Sequence, residues 1–254
     1  MDFSASQTAR GGGSAWTPNA LAPLLWMYAS PATLRLTAAG EVEDLLDRSP
    51  AKNDLQQLGV GVHPEVIDNW RRGKPAIYFS ATSGGPFLPA KDTTGTLITV
   101  PSGTDRPFSA LITLQLELPT VDQVILNWDH SSGGNAQSIV RVDNAGGGCL
   151  RYARTDDASA AANVTGTVVL GGGVRRLGVI FTGTTASLLV DSVLDVNNAA
   201  CDVGASTYNR WRIGTGPGID ALTAPCPECV IVPRAISLAE WAQYYQYSLG
   251  QWGV

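Results

Sequence analysis

The chain has 254 residues, a formal net charge of −5 and a pI near 5.0, with 44% hydrophobic and 15% charged residues. This hydrophobic content suffices for a core and argues against global disorder, while the small charged fraction is typical of stable extracellular or virion proteins. The sequence has no clustered Lys/Arg run for a nucleic-acid groove, and it has no run of about 18 apolar residues that would predict a membrane span.

Residues 1–20 are rich in Ser, Gly and Ala, and this composition predicts a flexible N-terminal arm or tether. They show no basic stretch followed by an apolar one, so we expect no signal peptide. Residues 21–254 are predicted to form one folded domain. The pairs Arg71–Arg72 and Arg175–Arg176 are isolated, and we interpret them as residues at strand starts.

Short apolar runs, many of them alternating, follow one another from residue 24 onward, with Gly-rich spacers between them. This pattern predicts about a dozen strands and an all-β fold, a two-sheet antiparallel jelly-roll sandwich with one C-terminal helix. The stretch 41–48 (EVEDLLDR) fits either a helical turn or a strand. The clearest runs are 24–28, 75–79, 96–100, 108–118, 122–128, 138–142, 149–153, 165–170, 175–182, 185–196, 209–214 and 229–233.

The C-terminal segment 235–254 is predicted to be a helix. Ser237 and Glu240 have the spacing of a capping box, and Gly250 is a candidate for the residue that ends the helix. The spacing i, i+4, i+8 and i+11 predicts one buried stripe. Its members are Trp241, Tyr245, Leu249 and Trp252.

The chain has four cysteines, Cys149, Cys201, Cys226 and Cys229, the last two in a C-x-x-C pattern. A zinc site would need a second ligand pair, and a redox motif would open a helix rather than precede the apolar run VIV. Neither function is expected. Structural disulfides and free buried thiols both remain open.

Four segments, taken in order, resemble the concanavalin A-like lectin/glucanase superfamily, in particular laminin-G-like modules of phage virion and bacterial surface proteins. They are LAPLLWMYASPATL (21–34), VEDLLDRSPAKNDLQQ (42–57), RRLGVIFTGTTASLLVDSVLDV (175–196) and the C-terminal CVIVPRAISLAEWAQYYQYSLGQWGV, and the segment GKPAIYFSATSGGPFL (73–88) resembles the family as well. The resemblance implies a jelly roll whose terminal helix packs against the first strand region. The segment 197–228 has no counterpart in the family and is interpreted as an insertion.

Some members of this superfamily are glycoside hydrolases, which require two carboxylates flanking the sugar bond. The one acidic cluster here, Glu41, Glu43, Asp44 and Asp47, corresponds by resemblance to a surface turn. His63 and His130 stand in loop-like contexts, and no G-x-S-x-G motif is present. We therefore expect no enzyme activity, with a glycoside hydrolase as the weakest alternative.

Two loops carry the predicted glycan-binding residues, because sugar sites combine an aromatic ring with polar groups that bind hydroxyls. The first loop offers Trp128, Asp129, His130 and Asn135, and the second offers Tyr208, Trp211 and Arg212. Asp129 and Asn135 are also candidate calcium ligands, since calcium prefers oxygen atoms from loops. We expect no other metal or cofactor. The alternative interpretation makes both segments ordinary turns, with Trp128 covering the core edge.

The sequence thus favours a non-catalytic virion module for decoration, structural stabilisation or host attachment, located on a particle or extracellular surface. The expected partners are other virion proteins, contacted through the N-terminal arm, and a host surface polysaccharide. A homo-oligomer is expected because virion proteins sit on symmetry axes. The alternative is a free-standing bacterial carbohydrate-binding lectin.

Overall fold

The computed structural model describes residues 16–57, 64–80, 87–88, 106–117, 121–129, 137–206, 208, 210–214 and 220–253. Within these residues it has nineteen strands, β1–β19 in chain order, and one α-helix, α1. The predicted strand 96–100, His63 and arm residues 1–15 lie outside them. The described part of the arm packs on the fold, with Pro18 buried in a 3-10 helix, Pro18–Leu21, and Trp16 against Tyr247.

The first sheet is a six-stranded antiparallel sheet that brings the two ends of the chain together. In spatial order its strands are β1 (Leu25–Tyr28), β19 (Glu228–Val232), β8 (Phe108–Leu116), β13 (Gly173–Phe181), β14 (Thr185–Val190) and β15 (Val193–Ala200). The hairpin β14–β15 turns at Asp191, which takes a left-handed φ of 53°. The apolar run 185–196 thus forms two strands.

The second sheet has nine strands in a continuous path, and a short tenth strand pairs beside it. In spatial order the nine are β12 (Ala161–Val169), β11 (Cys149–Thr155), β10 (Gln137–Asp143), β9 (Gln123–Asp129), β16 (Arg210–Ile213), β7 (Phe87–Leu88), β4 (Leu55–Gln57), β3 (Val42–Leu45) and β2 (Leu34–Leu36). The tenth, β17 (Asp220–Ala221), runs parallel to β9. The ambiguous stretch 41–48 therefore contains a strand, β3.

A third, three-stranded sheet consists of β18 (Ala224–Cys226), β6 (Lys74–Phe79) and β5 (Glu65–Arg71). Strands β16, β17 and β18 all come from the segment interpreted as an insertion, so this segment is built into the sheets. The hairpin β5–β6 turns through Arg72 and Gly73, both with positive φ.

Alternation along the strands divides the apolar side chains between two cores. On β1, Leu25 and Met27 face the core between the two large sheets, whereas Trp26 and Tyr28 belong to a second core on the other face. A strand buried on both faces has every side chain covered, as all four residues of β1 are. The two large sheets thus form the predicted all-β sandwich.

Helix α1 (Leu238–Trp252) covers the outer face of the six-stranded sheet. Its N-terminus has the predicted capping box, in which the Ser237 hydroxyl accepts from the Glu240 amide and the Glu240 carboxylate accepts from the Ser237 amide. The tilted rings of Tyr28 and Trp252, with centroids 5.2 Å apart, confirm packing against the first strand.

Two details of the helix prediction are wrong. The buried residues are Trp241, Tyr244, Ser248 and Trp252, so Tyr244 and Ser248 occupy the stripe that was assigned to Tyr245 and Leu249. The helix continues through Gly250 and is capped by Gly253, whose φ is 75°. Ser248 can be buried because its hydroxyl lies 2.8 Å from that of Thr113 on β8.

All four cysteines are free and buried. Of the two alternatives, structural disulfides and free buried thiols, the structure has the thiols. Burial raises the pKa of the Cys226 thiol to about 12 and that of Cys201 to about 11. In the described part of the chain, no group of three or more His, Cys, Asp or Glu residues could hold a metal ion. No helix among these residues is long and apolar enough to cross a membrane.

Candidate functional site

The first predicted glycan-binding loop begins at the end of β9, where Trp128 lies inside the sandwich. Its side chain is 1% exposed, and its ring centroid lies 4.8 Å from that of Phe108. A ring covered in this way offers no face to a sugar, so this packing is incompatible with the predicted role of Trp128. His130 and Asn135 lie outside the described residues.

Asp129 and Arg212 are brought together by the pairing of β9 with β16. The Asp129 carboxylate lies 3.5 Å from the Arg212 guanidinium and accepts from the Asn127 amide at 3.1 Å, and it is buried. A carboxylate engaged in this way holds two strands together and leaves little room for a calcium ion. The calcium hypothesis also requires Asn135, so it stays a prediction.

In the second predicted loop, the aromatic side chain that the structure describes is that of Tyr208. Tyr208 is buried in the core between the sheets. The backbone of Trp211 pairs with Trp128 across β16 and β9. The described side chains of the two predicted loops thus build the sandwich, and a glycan contact at Asp129 or Arg212 would require their ion pair to open.

The acidic cluster that resembled a hydrolase motif also has structural partners. The Asp47 carboxylate is buried and accepts from the backbone amides of Trp26, Ser49 and Asn53 at 2.6–2.7 Å, which shapes the loop after β3. Asp44 pairs with Arg35 at 3.5 Å, and Glu43 is exposed.

A different surface, at the C-terminal end of α1, gathers functional groups from distant parts of the chain. We call it the cation–aromatic surface and define it as Arg48, Trp70, Arg72 and Lys74. Arg48 follows β3, Trp70 lies on β5, Arg72 forms the turn, and Lys74 begins β6. Arg48 and Arg72 are exposed, whereas Trp70 and Lys74 are partly buried.

Aromatic rings form the floor of the cation–aromatic surface. The Arg48 guanidinium lies 4.6 Å from the ring centroids of both Trp26 and Tyr28. The Lys74 ammonium lies 5.3 Å from the Trp252 ring and 6.0 Å from the Tyr28 ring. Cations at these distances interact favourably with the ring quadrupole, which holds the charges beside the helix end.

Hydrogen bonds to the end of α1 fix two of the cations. Arg72 donates to the Gly250 carbonyl at 2.7 Å, and the Lys74 ammonium donates to the side-chain oxygen of Gln251. The last carbonyls of a helix carry a partial negative charge and lack intrahelical donors. Because the last turn of α1 has no basic residue of its own, the hairpin β5–β6 supplies the charges.

Glu228 lies buried beneath this surface, fully covered by β1 and α1. Its carboxylate accepts from the indole N–H of Trp26 at 2.8 Å and of Trp252 at 3.2 Å, and from the Tyr247 hydroxyl. Burial raises its pKa to about 7 even though these donors and Arg48 lower it. Glu228 therefore carries only part of a negative charge near neutral pH.

The electrostatics of Lys74 follow from these neighbours. Burial lowers the pKa of its ammonium, Glu228 raises it, and the charges of Arg72 and Arg48 lower it further. The three cations thus lie close enough to repel one another. The sequence analysis missed this surface, although the run Trp70-Arg-Arg-Gly-Lys74 held a local signal, an aromatic residue followed by three cations around one glycine.

Fold and surface together define an all-β sandwich domain with a positively charged, partly aromatic surface at the C-terminal end of its terminal helix. No protein-family model and no curated protein sequence matches this chain. Solved structures do resemble it. One is the ligand-binding domain of botulinum neurotoxin serotype D in complex with N-acetylneuraminic acid, with a TM-score of 0.60 and 11% identity over 92% of this chain.

Two further similar structures belong to the same group of toxins. The receptor-binding domain of the mosaic serotype C/D has a TM-score of 0.62 at 10% identity. A structure of type C, whose cell entry depends on two ganglioside molecules, has a TM-score of 0.62 at 8% identity. The chain covers 92% and 90% of its own length in these matches but spans about half of each neighbour, 52% and 51%. At these identities the likeness shows the fold alone.

Proposed function

We propose that this protein is a non-catalytic carbohydrate-binding module that attaches a phage-like particle to glycans on a host surface. The observation that supports carbohydrate binding is the cation–aromatic surface, where the partly buried Trp70 ring lies 6.1 Å from the Trp252 ring, which the Lys74 ammonium approaches at 5.3 Å. A sugar has an apolar ring face and polar hydroxyls, so it is complemented by an aromatic ring flanked by hydrogen-bond donors. Neighbours of similar fold bind N-acetylneuraminic acid or gangliosides, which adds support by analogy.

The non-catalytic part of the proposal rests on the positions of the acidic residues. Glycoside hydrolysis requires two carboxylates about 5–10 Å apart that both reach the sugar bond. Asp47 is engaged by backbone amides and Asp44 by Arg35. Glu228 is fully covered and bonded to two indoles. The contacts of these carboxylates stabilise the fold.

The particle context of the proposal comes from composition. A small charged fraction and a Gly-rich stretch within residues 1–15 suit a module tethered to other virion proteins, and such modules assemble as homo-oligomers on symmetry axes. Co-sedimentation with purified particles tests this placement. A protein that binds glycans but never sediments with particles would be a free lectin instead.

Trp70→Ala tests the carbohydrate-binding surface. On a glycan array, the natural protein is expected to bind at least one glycan, and Trp70→Ala should weaken that binding at least about tenfold. Truncation of a central aromatic anchor typically costs about 2 kcal/mol or more, and 1.4 kcal/mol corresponds to about tenfold.

Trp16→Ala is the matched control, because Trp16 is also partly buried and packs on α1. Its ring centroid lies 5.7 Å from that of Tyr247. Both variants should keep the circular dichroism of the natural protein. Equal loss of binding in both would indicate general loosening of the helix, and no binding to any glycan would refute the proposed function.

A further inference from the structure

The three cations of the cation–aromatic surface differ from six arginines of the described chain in having no carboxylate within salt-bridge distance. Within the described residues, no carboxylate oxygen lies within 4.0 Å of the charged groups of Arg48, Arg72 or Lys74. Other arginines of the described chain are paired with Asp or Glu in this way: Arg35, Arg141, Arg151, Arg175, Arg212 and Arg234. In a chain with a net charge of −5, the surface is a local excess of positive charge.

Glu228, whose charge acts on Lys74 and Arg48, offsets this excess only in part. Its carboxylate is directed at the indoles of Trp26 and Trp252 and is fully covered. Lys74 is partly buried, and burial opposes its charge more strongly than the attraction of Glu228 supports it, so part of the desolvation cost is left uncompensated. An anion supplied from outside the protein would offset this cost, and burial of Lys74 would strengthen the attraction.

We propose that the cation–aromatic surface binds an acidic saccharide, with the sugar's carboxylate between Arg72 and Lys74 and its ring against Trp70. The inference rests on the proposed function and specifies its ligand class. A planar guanidinium binds a carboxylate through two parallel hydrogen bonds, and an ammonium adds a compact point charge. Arg48 adds long-range attraction, because its guanidinium lies 4.6 Å from the Tyr28 ring that Lys74 also approaches, at 6.0 Å.

The test compares carboxylated glycans with the same glycans after methyl esterification, printed on one array. The natural protein should bind the free acids at least about tenfold more tightly than the esters, since a charged hydrogen bond contributes about 1.5–3 kcal/mol. Raising the salt concentration from 50 mM to 500 mM should weaken binding of the acids and leave any binding of the esters unchanged.

Arg72→Gln and Lys74→Gln should each abolish the preference for the acid. Arg35→Gln is the matched control, since it removes one exposed positive charge from β2, outside the surface. Circular dichroism and the unfolding midpoint check that each variant is folded. If a glutamine at 72 or 74 disturbs the helix end, Arg72→Lys, which keeps the charge but loses the two parallel hydrogen bonds, should retain part of the preference.

The outcomes separate this inference from the proposed function. Equal binding of acids and esters would overturn the acidic ligand class and leave carbohydrate binding intact. Binding of acids that is unaffected by Arg72→Gln and Lys74→Gln would place the site elsewhere and also overturn the inference. Failure to bind any glycan would refute the proposed function itself.

Discussion

At the scale of single residues, Glu228 links three elements through one carboxylate. It lies on β19 and accepts hydrogen bonds from Trp26 on β1 and from Trp252 and Tyr247 on α1. Two charged or ionisable neighbours above it, Arg48 and Lys74, interact with it electrostatically. The donors stabilise the carboxylate, but complete burial opposes its charge more strongly, so that its pKa rises to about 7.

Glu228 should make the protein's stability depend on pH between about 4.5 and 7. Its pKa is 4.5 in an unfolded chain and about 7 in the folded one. Its stabilising contribution is therefore fully present below pH 4.5 and is lost as the pH rises to 7, by about 3 kcal/mol at most. Chemical unfolding at pH 5 and pH 8 measures the difference in the free energy of unfolding. Glu228→Gln should remove this difference, whatever the overall stability of the variant.

Glu240→Gln is the control for this pH dependence. The Arg234 guanidinium and the Ser237 donors hold the pKa of Glu240 at about 2, so its contribution is lost only as the pH falls below 4.5. The control should keep the difference between pH 5 and pH 8. A natural protein equally stable at both pH values would contradict the raised pKa of Glu228.

At the scale of elements, α1 is positioned by polar as well as apolar contacts with the sheet. The Thr113 hydroxyl of β8 lies 3.0 Å from the Tyr244 hydroxyl and 2.8 Å from that of Ser248. Arg176 of β13 donates to Ser248 and to the carbonyl of Gly253. These bonds satisfy buried groups and fix the rotation of the helix about its axis.

The end of α1 at Gly253 can be tested with two alanine substitutions. Gly250→Ala should raise the free energy of unfolding by up to about 1 kcal/mol, because Gly250 is helical and exposed and a Cβ there meets nothing within 4 Å. Gly253→Ala should lower it by about 1 kcal/mol, because its φ is 75° and a Cβ would lie 3.3 Å from Arg72. Urea unfolding measures both, and the opposite signs would place the helix end at Gly250.

At the scale of the whole molecule, the six-stranded sheet is covered by the second sheet on one face and by α1 on the other, except along its largely exposed edge strand β15. The helix approaches the sheet closely at Gly178 of β13, where an added Cβ would lie 2.8 Å from the Trp241 ring. The hairpin β5–β6 extends from the third sheet to the helix end and carries Trp70, Arg72 and Lys74 there. The candidate site thus exists only in the assembled fold.

The four thiols should report the opening of this assembly. Each cysteine is at most 2% exposed, and burial raises the pKa of all four thiols. In the native protein, we expect none to react with a disulfide reagent faster than the protein unfolds, because the thiolate is the reactive form. In concentrated guanidinium, all four thiols of the unfolded protein should react with the reagent. A fast reaction of any thiol without unfolding would show local opening at that cysteine.

The sequence by itself determined the features that depend on near neighbours in the chain. Alternation over a few residues identified β8, β13 and β19, and the Ser237–Glu240 spacing identified the start of α1, because both patterns follow from local backbone geometry. The stretch 41–48 remained ambiguous because its pattern is short, and pairing with β2 and β4 makes it a strand.

Only the tertiary structure decided which faces are covered. Trp128 looked suited to an exposed loop and lies in the core, while Tyr244 rather than Tyr245 faces the sheet. Arg48 and Lys74 approach one aromatic floor through the pairing and packing of separate strands. Burial and charge depend on the positions of residues far apart in the chain, and these positions follow from the summed packing of the two sheets and the helix.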